Sequence, residues 1–262
     1  KDAKKDNELD KKNDEDKLTR ETKEELLERY KGYRDRQAAA VAEAERITAA
    51  AVAAKRWERP LLASLTDLEE SQKQLSLELA GFVEKNLTDL PVFGRMTTQA
   101  ADAMGKAATR LADRKDDILT ADAAAAFDPE AEKVAHGRVA RPMTLALKRL
   151  DQVLDAIKPD EKKPDAGKGD KSGGGGGEAG GGGDSGPKQG GIPALAQLKA
   201  LRSLQADLMQ RTAAFHKENP DPDKYTDDQT DELKDLEQGQ REVAELFEKL
   251  LPLLQPKGDD NP

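Results

Sequence analysis

Residues 65–75 read LTDLEESQKQL, which sets Leu65, Leu68, Gln72 and Leu75 at alternating steps of three and four. An α-helix turns once in 3.6 residues, so side chains at that spacing share one face, and here the face is apolar with an amide inside it. The same pattern, Leu-x2-Leu-x3-Gln-x2-Leu or Val, returns at Leu198, Leu201, Gln205 and Leu208 and again at Leu233, Leu236, Gln240 and Val243. Three copies of one helical seam predict an all-α chain built from antiparallel helical hairpins with coiled-coil-like seams.

Outward from the first copy, the stripe runs from Leu61 to Phe82 behind Pro60. A second stripe precedes it through Leu26, Tyr30, Tyr33, Gln37, Ala40, Ala44, Ile47, Ala51 and Ala54. Pro60 suits the first turn of a helix, where its missing N–H costs nothing. A reversal at residues 58–60 sets Ala54 opposite Leu65, Ala51 opposite Leu68, Ala44 opposite Leu75 and Ala40 opposite Leu79, small against large at every layer. One long helix kinked at Pro60 is the competing reading. A third helix is expected from about Leu90 and Pro91, with Phe93, Met96, Ala100, Met104, Ala107 and Leu111 inward. Asp128-Pro129-Glu130 reads as N-cap, first-turn proline and dipole-favoured acid, and opens a fourth. Gly137 and Pro142 interrupt the early part of that helix, Leu147, Leu150, Leu154 and Ile157 carry its end, and Pro159 stops it.

The final helical segment, 193–255, holds the other two copies of the pattern, separated by Asn219-Pro220-Asp221-Pro222 and by a capping box of Thr226 with Gln229. Folded back at that break, it pairs Leu198 with Phe247, Leu201 with Val243 and Gln205 with Gln240. The two glutamines are expected to hydrogen-bond across the seam and fix its register; the plainer reading is that glutamine is tolerated near solvent. Gln72, Gln205, Gln240, Leu201, Leu208, Leu236, Val243 and Phe247 are the candidate interaction residues.

The organisation that follows is a charged, poorly ordered segment (1–17), a helical module of about four helices (18–158), a flexible Gly-rich linker (159–192), the C-terminal hairpin (193–255) and a disordered tail (256–262). The linker contains Gly173 to Gly177 and Gly180 to Gly183. As a random coil it spans roughly 30 Å, so the parts on either side are expected to move independently. An isolated helix pair seldom offsets its ordering entropy, so the hairpin is also expected to pair with the first module, dimerise or dock on another protein.

Composition narrows the function. Hydrophobic and charged residues each make up 36% of the chain and aromatics only 3%, too few large flat side chains to line a deep pocket. A net charge of −9 with interleaved bases argues against nucleic acid as a partner. The absence of cysteine excludes disulfides and thiolate ligands, and no apolar run approaches the ~20 residues of a membrane-spanning helix. The chain starts at Lys1 rather than Met, which suits a processed chain whose export signal has been removed, or a truncated one.

The run Gln72-x2-Leu75, Pro91-x-Phe93-x2-Met96, Ala100-x2-Ala103-Met104-x2-Ala107, Leu147-x2-Leu150 and Ile157-Lys158-Pro159 resembles part of a group of uncharacterised planctomycete proteins. So does the Gly-rich tract followed by Ile192-Pro193-x-Leu195-Ala196-Gln197-Leu198-x2-Leu201-x2-Leu204-Gln205-x6-Thr212. The likeness covers most of the chain after about Leu61. It implies exported, coiled-coil-rich proteins of the periplasm or cell envelope with a Gly-rich linker, a C-terminal helical hairpin and no established activity. The chain departs from that pattern at Arg141-Pro142, where similar proteins place a seam glutamine.

No catalytic, cofactor or metal set can be assembled from the residues. His136 and His216 stand singly, and a lone histidine is far more often a surface residue than a ligand. Gly167-Lys-Gly-Asp-Lys-Ser172 imitates a phosphate loop but has Asp170 where the loop needs glycine, and no strand precedes it. The expectation is a non-enzymatic helical scaffold or tether, acting on a protein partner or on itself through helical faces; the alternative is a chaperone-like holder of hydrophobic segments.

Overall fold

The computed structural model describes residues 23–121, 127–158 and 194–254. Among them are six α-helices, one short 3₁₀ turn at Pro222–Lys224 and no strand: α1 Lys23–Ala54, α2 Arg59–Asn86, α3 Pro91–Thr120, α4 Pro129–Ile157, α5 Ala194–Glu218 and α6 Asp227–Leu254. The charged segment 1–17, the Gly-rich linker and the tail after 255 lie outside the described residues.

Local chemistry sets the helix ends. α1 stops at a Schellman turn, in which Lys55 takes a left-handed φ of 52° and the N–H groups of Lys55 and Arg56 donate to the carbonyls of Val52 and Ala51. The chain therefore reverses before Pro60, which sits in the first turn of α2, and the kinked-helix alternative falls away. Pro91 opens α3. The Asp128 carboxylate accepts from the N–H groups of Glu130 and Ala131 at the start of α4. Thr226 and Gln229 bond each other reciprocally ahead of α6, the expected capping box.

The first four helices close into a ring, α1 on α2, α2 on α3, α3 on α4 and α4 back on α1. The expected stripes of α1 and α2 are the buried ones, from Leu26 and Tyr30 to Ala51 and from Leu61 to Phe82. Their register differs from expectation by about one heptad. Arg36 meets Glu78, Gln37 meets Gln72 and the Tyr30 ring packs edge-on at 5.6 Å from that of Phe82. The turn at Lys55–Glu58 lies nearer the N-terminus than 58–60, and each residue by which a turn moves shifts the pairing by two. A heptad shift returns the same faces to each other, so the buried set survives it.

Pro142 does not break α4, which runs continuously through it. A proline lacks the N–H that would bond the carbonyl four residues earlier. That orphan, the Arg138 carbonyl, accepts instead from Arg110 Nη1 of α3 at 2.5 Å.

The C-terminal hairpin does not stand apart from this bundle. Leu201 and Leu204 of α5 and Leu246 and Leu250 of α6 belong to the same core cluster as Tyr30, Phe82, Phe93, Met96, Leu150 and Ile157. Of the arrangements open to a hairpin too small to stand alone, the described residues adopt the one in which it seats on α3 and α4 and buries its face there. α3 makes this possible. From Val92 to Met104 it presents Gly94, Ala100, Ala101 and Ala103 among Phe93, Met96 and Met104, all buried, so small side chains let helices approach it from several sides.

Candidate interaction surface

The structure sorts the candidate seam residues into three groups. Gln72 is fully buried and exchanges amide hydrogen bonds with Gln37, which also donates to the Met143 carbonyl at 2.9 Å. Leu201 is buried in the core shared with the bundle, Leu208 and Leu236 are buried with Phe215 in a separate cluster inside the hairpin, and the half-buried Val243 packs against both. Gln205, Gln240 and Phe247 face solvent, and no hydrogen bond joins the two glutamines. The expected amide pair is a correction with a clear cause. α5 packs on α4 as well as α6, so its buried arc centres between two neighbours, on Gln197, Leu204 and Asp207 rather than on Leu198 and Gln205. α6 turns with it, and Gly239 takes the inward place, where an added Cβ would stand 3.0 Å from Leu208 Cδ1.

The polar residues that dock the hairpin escaped the sequence reading. Gln197 Oε1 accepts from the Val92 N–H at 3.3 Å, satisfying a first-turn donor of α3. Asp207 is buried between two cations of α4: Lys148 Nζ donates to one carboxylate oxygen, and Arg149 Nη1 lies 2.8 Å from the other, an ion-pair contact off the hydrogen-bonding direction. Burial works against the Asp207 carboxylate. The hydrogen bond from Lys148 and the charge of Arg149 outweigh it and hold the carboxyl below its usual range. Burial likewise lowers the pKa of the Arg149 guanidinium, with Asp207 opposing. Between α3 and α6, Arg95 holds Glu242 through both guanidinium nitrogens facing it, and against the cost of burial that fork depresses the Glu242 carboxyl. No local spacing distinguishes these ions from the many solvated ones.

A second polar cluster ties the opposite end of the bundle. Arg114 pairs with Glu132 at 2.8 Å and lies over the Trp57 ring, whose Nε1 donates to the same carboxylate. His136 is half-buried with Nδ1 3.1 Å from Thr48 Oγ1, and burial, then the Arg114 charge, lowers its pKa. His216 is exposed. Among the described residues no three His, Asp or Glu side chains converge as a metal cage. A shallow cleft of about 200 Å³ lies where α3, α4, α5 and α6 meet, lined in part by Arg95, Gln99, Arg149 and Glu242, which are engaged in docking the helices.

The outward side of α6 is different. Phe247, Leu251 and Leu254 are 45%, 40% and 38% exposed and follow one another at four and three residues, a continuous apolar row next to the buried row of Leu246 and Leu250. Leu195, exposed on α5, stands level with the last turns of α6 in the antiparallel hairpin. Leu77, Leu119, Val134 and Met209 are also exposed, but each is isolated on its helix face. No described helix is long and apolar enough to cross a membrane. Compared with known proteins, the chain matches no family model, no curated protein and no solved structure.

Proposed function

We propose that the protein is a non-enzymatic helical scaffold that binds another protein through the C-terminal turns of α6. The observation that carries this reading is the row of Phe247, Leu251 and Leu254, left in water by a helix whose adjacent face is already used in the core. Apolar side chains in a helical row differ from scattered ones, which need no explanation on a protein surface. The isolated positions of Leu77, Leu119, Val134 and Met209 give the chaperone-like alternative no comparable face. The polar clusters described above join helix to helix, as a rigid mount requires. The resemblance to planctomycete envelope proteins is what supports placing this role in the periplasm or envelope.

A photoreactive amino acid at position 247 or 251 of the full chain, expressed in its native cells, tests the proposal. The expected result is one discrete adduct with a second protein that position 113, on the far part of α3, does not give. Equal labelling from all three positions, or none from α6, overturns it.

A further inference from the structure

The solvent side of the α6 row is acidic. Glu237, Glu245 and Glu248 are exposed there against Arg241 and Lys249, a net excess of one acid, and none of the three carboxylates has an ion-pair partner among the described residues. Along the whole of α6 the only bases are Lys234, Arg241 and Lys249, against nine acids. The row also occupies the final turns, where unpaired carbonyls carry the negative end of the helix dipole, and the last turn contains no basic residue to offset it.

From this we infer that the row seats an amphipathic helix of a partner protein whose apolar face is flanked by lysine and arginine. The inference rests on the scaffold reading and adds the partner's chemistry. Other occupants fit less well. A two-fold contact between copies sets the acidic flank of α6 against itself, where like charges repel. The chain's own segments 1–22, 122–126, 159–193 and 255–262 carry only Leu9, Leu18 and Ile192 as large apolar side chains, too far apart in sequence to lie as one helical row against it. An anionic lipid surface meets the same repulsion as a second copy.

Two synthetic helical peptides with the same leucine row, one flanked by lysine and arginine and the other by glutamate, test the assignment by fluorescence anisotropy against the full chain. The basic peptide is expected to bind at least about tenfold more tightly than the acidic one and to weaken as salt is added. Leu251→Glu, and the milder Leu251→Ser, are each expected to reduce its binding by about tenfold or more. Glu245→Lys with Glu248→Lys does the same without touching the row. Circular dichroism checks that each variant keeps its helix content. Equal binding of both peptides sinks the charge assignment and leaves the apolar interface standing. Binding that survives both Leu251 variants moves the site off the row and overturns the inference. If neither peptide binds and light scattering finds a dimer that Leu251→Ser dissociates, a second copy is the occupant. If neither binds and the chain is a monomer, the inference fails, while the scaffold reading is decided separately by crosslinking from positions 247 and 251.

Discussion

Gln37 and Gln72 face each other at the centre of the α1–α2 hairpin, each amide nitrogen donating to the other's oxygen, at 3.3 and 2.8 Å, with both side chains out of contact with water. Replacing Gln37 alone by leucine strands the Gln72 amide in the core and is expected to cost about 1–3 kcal/mol. The double replacement by leucine removes both unsatisfied groups and should return stability to within about 1 kcal/mol of the native chain. Urea denaturation followed by far-UV circular dichroism measures both; a double variant weaker than the single one contradicts the pairing.

The bond from Arg110 to the Arg138 carbonyl exists because Pro142 supplies no N–H. Arg110→Met is expected to destabilise the native chain by about 1 kcal/mol. In a Pro142→Ala background, where the helix satisfies that carbonyl itself, the same change should cost almost nothing. A double-mutant cycle by denaturant unfolding reads the coupling, and equal costs in the two backgrounds would refute it.

Asp207 neutralises two cations at the α4–α5 junction, and its side chain is almost wholly buried. Asp207→Asn leaves Arg149 buried with its charge uncompensated, which is expected to cost about 3–5 kcal/mol. Because the folded state lowers the Asp207 pKa, the stabilisation is present above the unfolded value of about 3.9 and is lost as pH falls through the lower folded value. The native chain should lose stability more steeply than Asp207→Asn below about pH 4. Amide exchange in α5, faster in the variant at neutral pH, locates the effect; unchanged exchange there argues against the docking role.

Two helical glycines should respond to alanine in opposite directions. At Gly137 an added Cβ meets nothing within 4 Å, so Gly137→Ala gains helix propensity of up to about 1 kcal/mol. At Gly94 the same Cβ would stand 3.2 Å from the Leu87 carbonyl oxygen, a backbone atom held in the α2–α3 turn. Gly94→Ala is expected to lower the melting temperature and Gly137→Ala to raise it.

Much of this fold is legible in the chain because helices announce themselves by period and by end chemistry. Asp128, Thr226 with Gln229, Pro60 and Pro91 mark real boundaries, and the stripes of α1 and α2 mark real faces. A heptad template assumes one partner for each helix. Its inward arc is right for α2, although α2 also has two neighbours, and falls to one side for Gln205 and Gln240, because α5 and α6 seat on the outside of the ring and turn toward α3 and α4. Phe247, assigned to the seam by that template, lies on the exposed row instead. Register was out of reach for a related reason: a turn displaced by a few residues preserves every stripe while changing every pair. The docking ions at Asp207, Arg149 and Glu242 look in sequence like any other charges on a helix, and only three-dimensional proximity distinguishes them.

The position of α3 couples synthesis of the chain to completion of its interior. Arg95 reaches a partner 147 residues later, and Phe93 and Met96 share their cluster with Leu246 and Leu250. Contacts of such high sequence separation cost loop-closure entropy before they are rewarded. A nascent polypeptide that has emerged only as far as α4 leaves the far wall of α3 wet until α5 and α6 arrive to seal it.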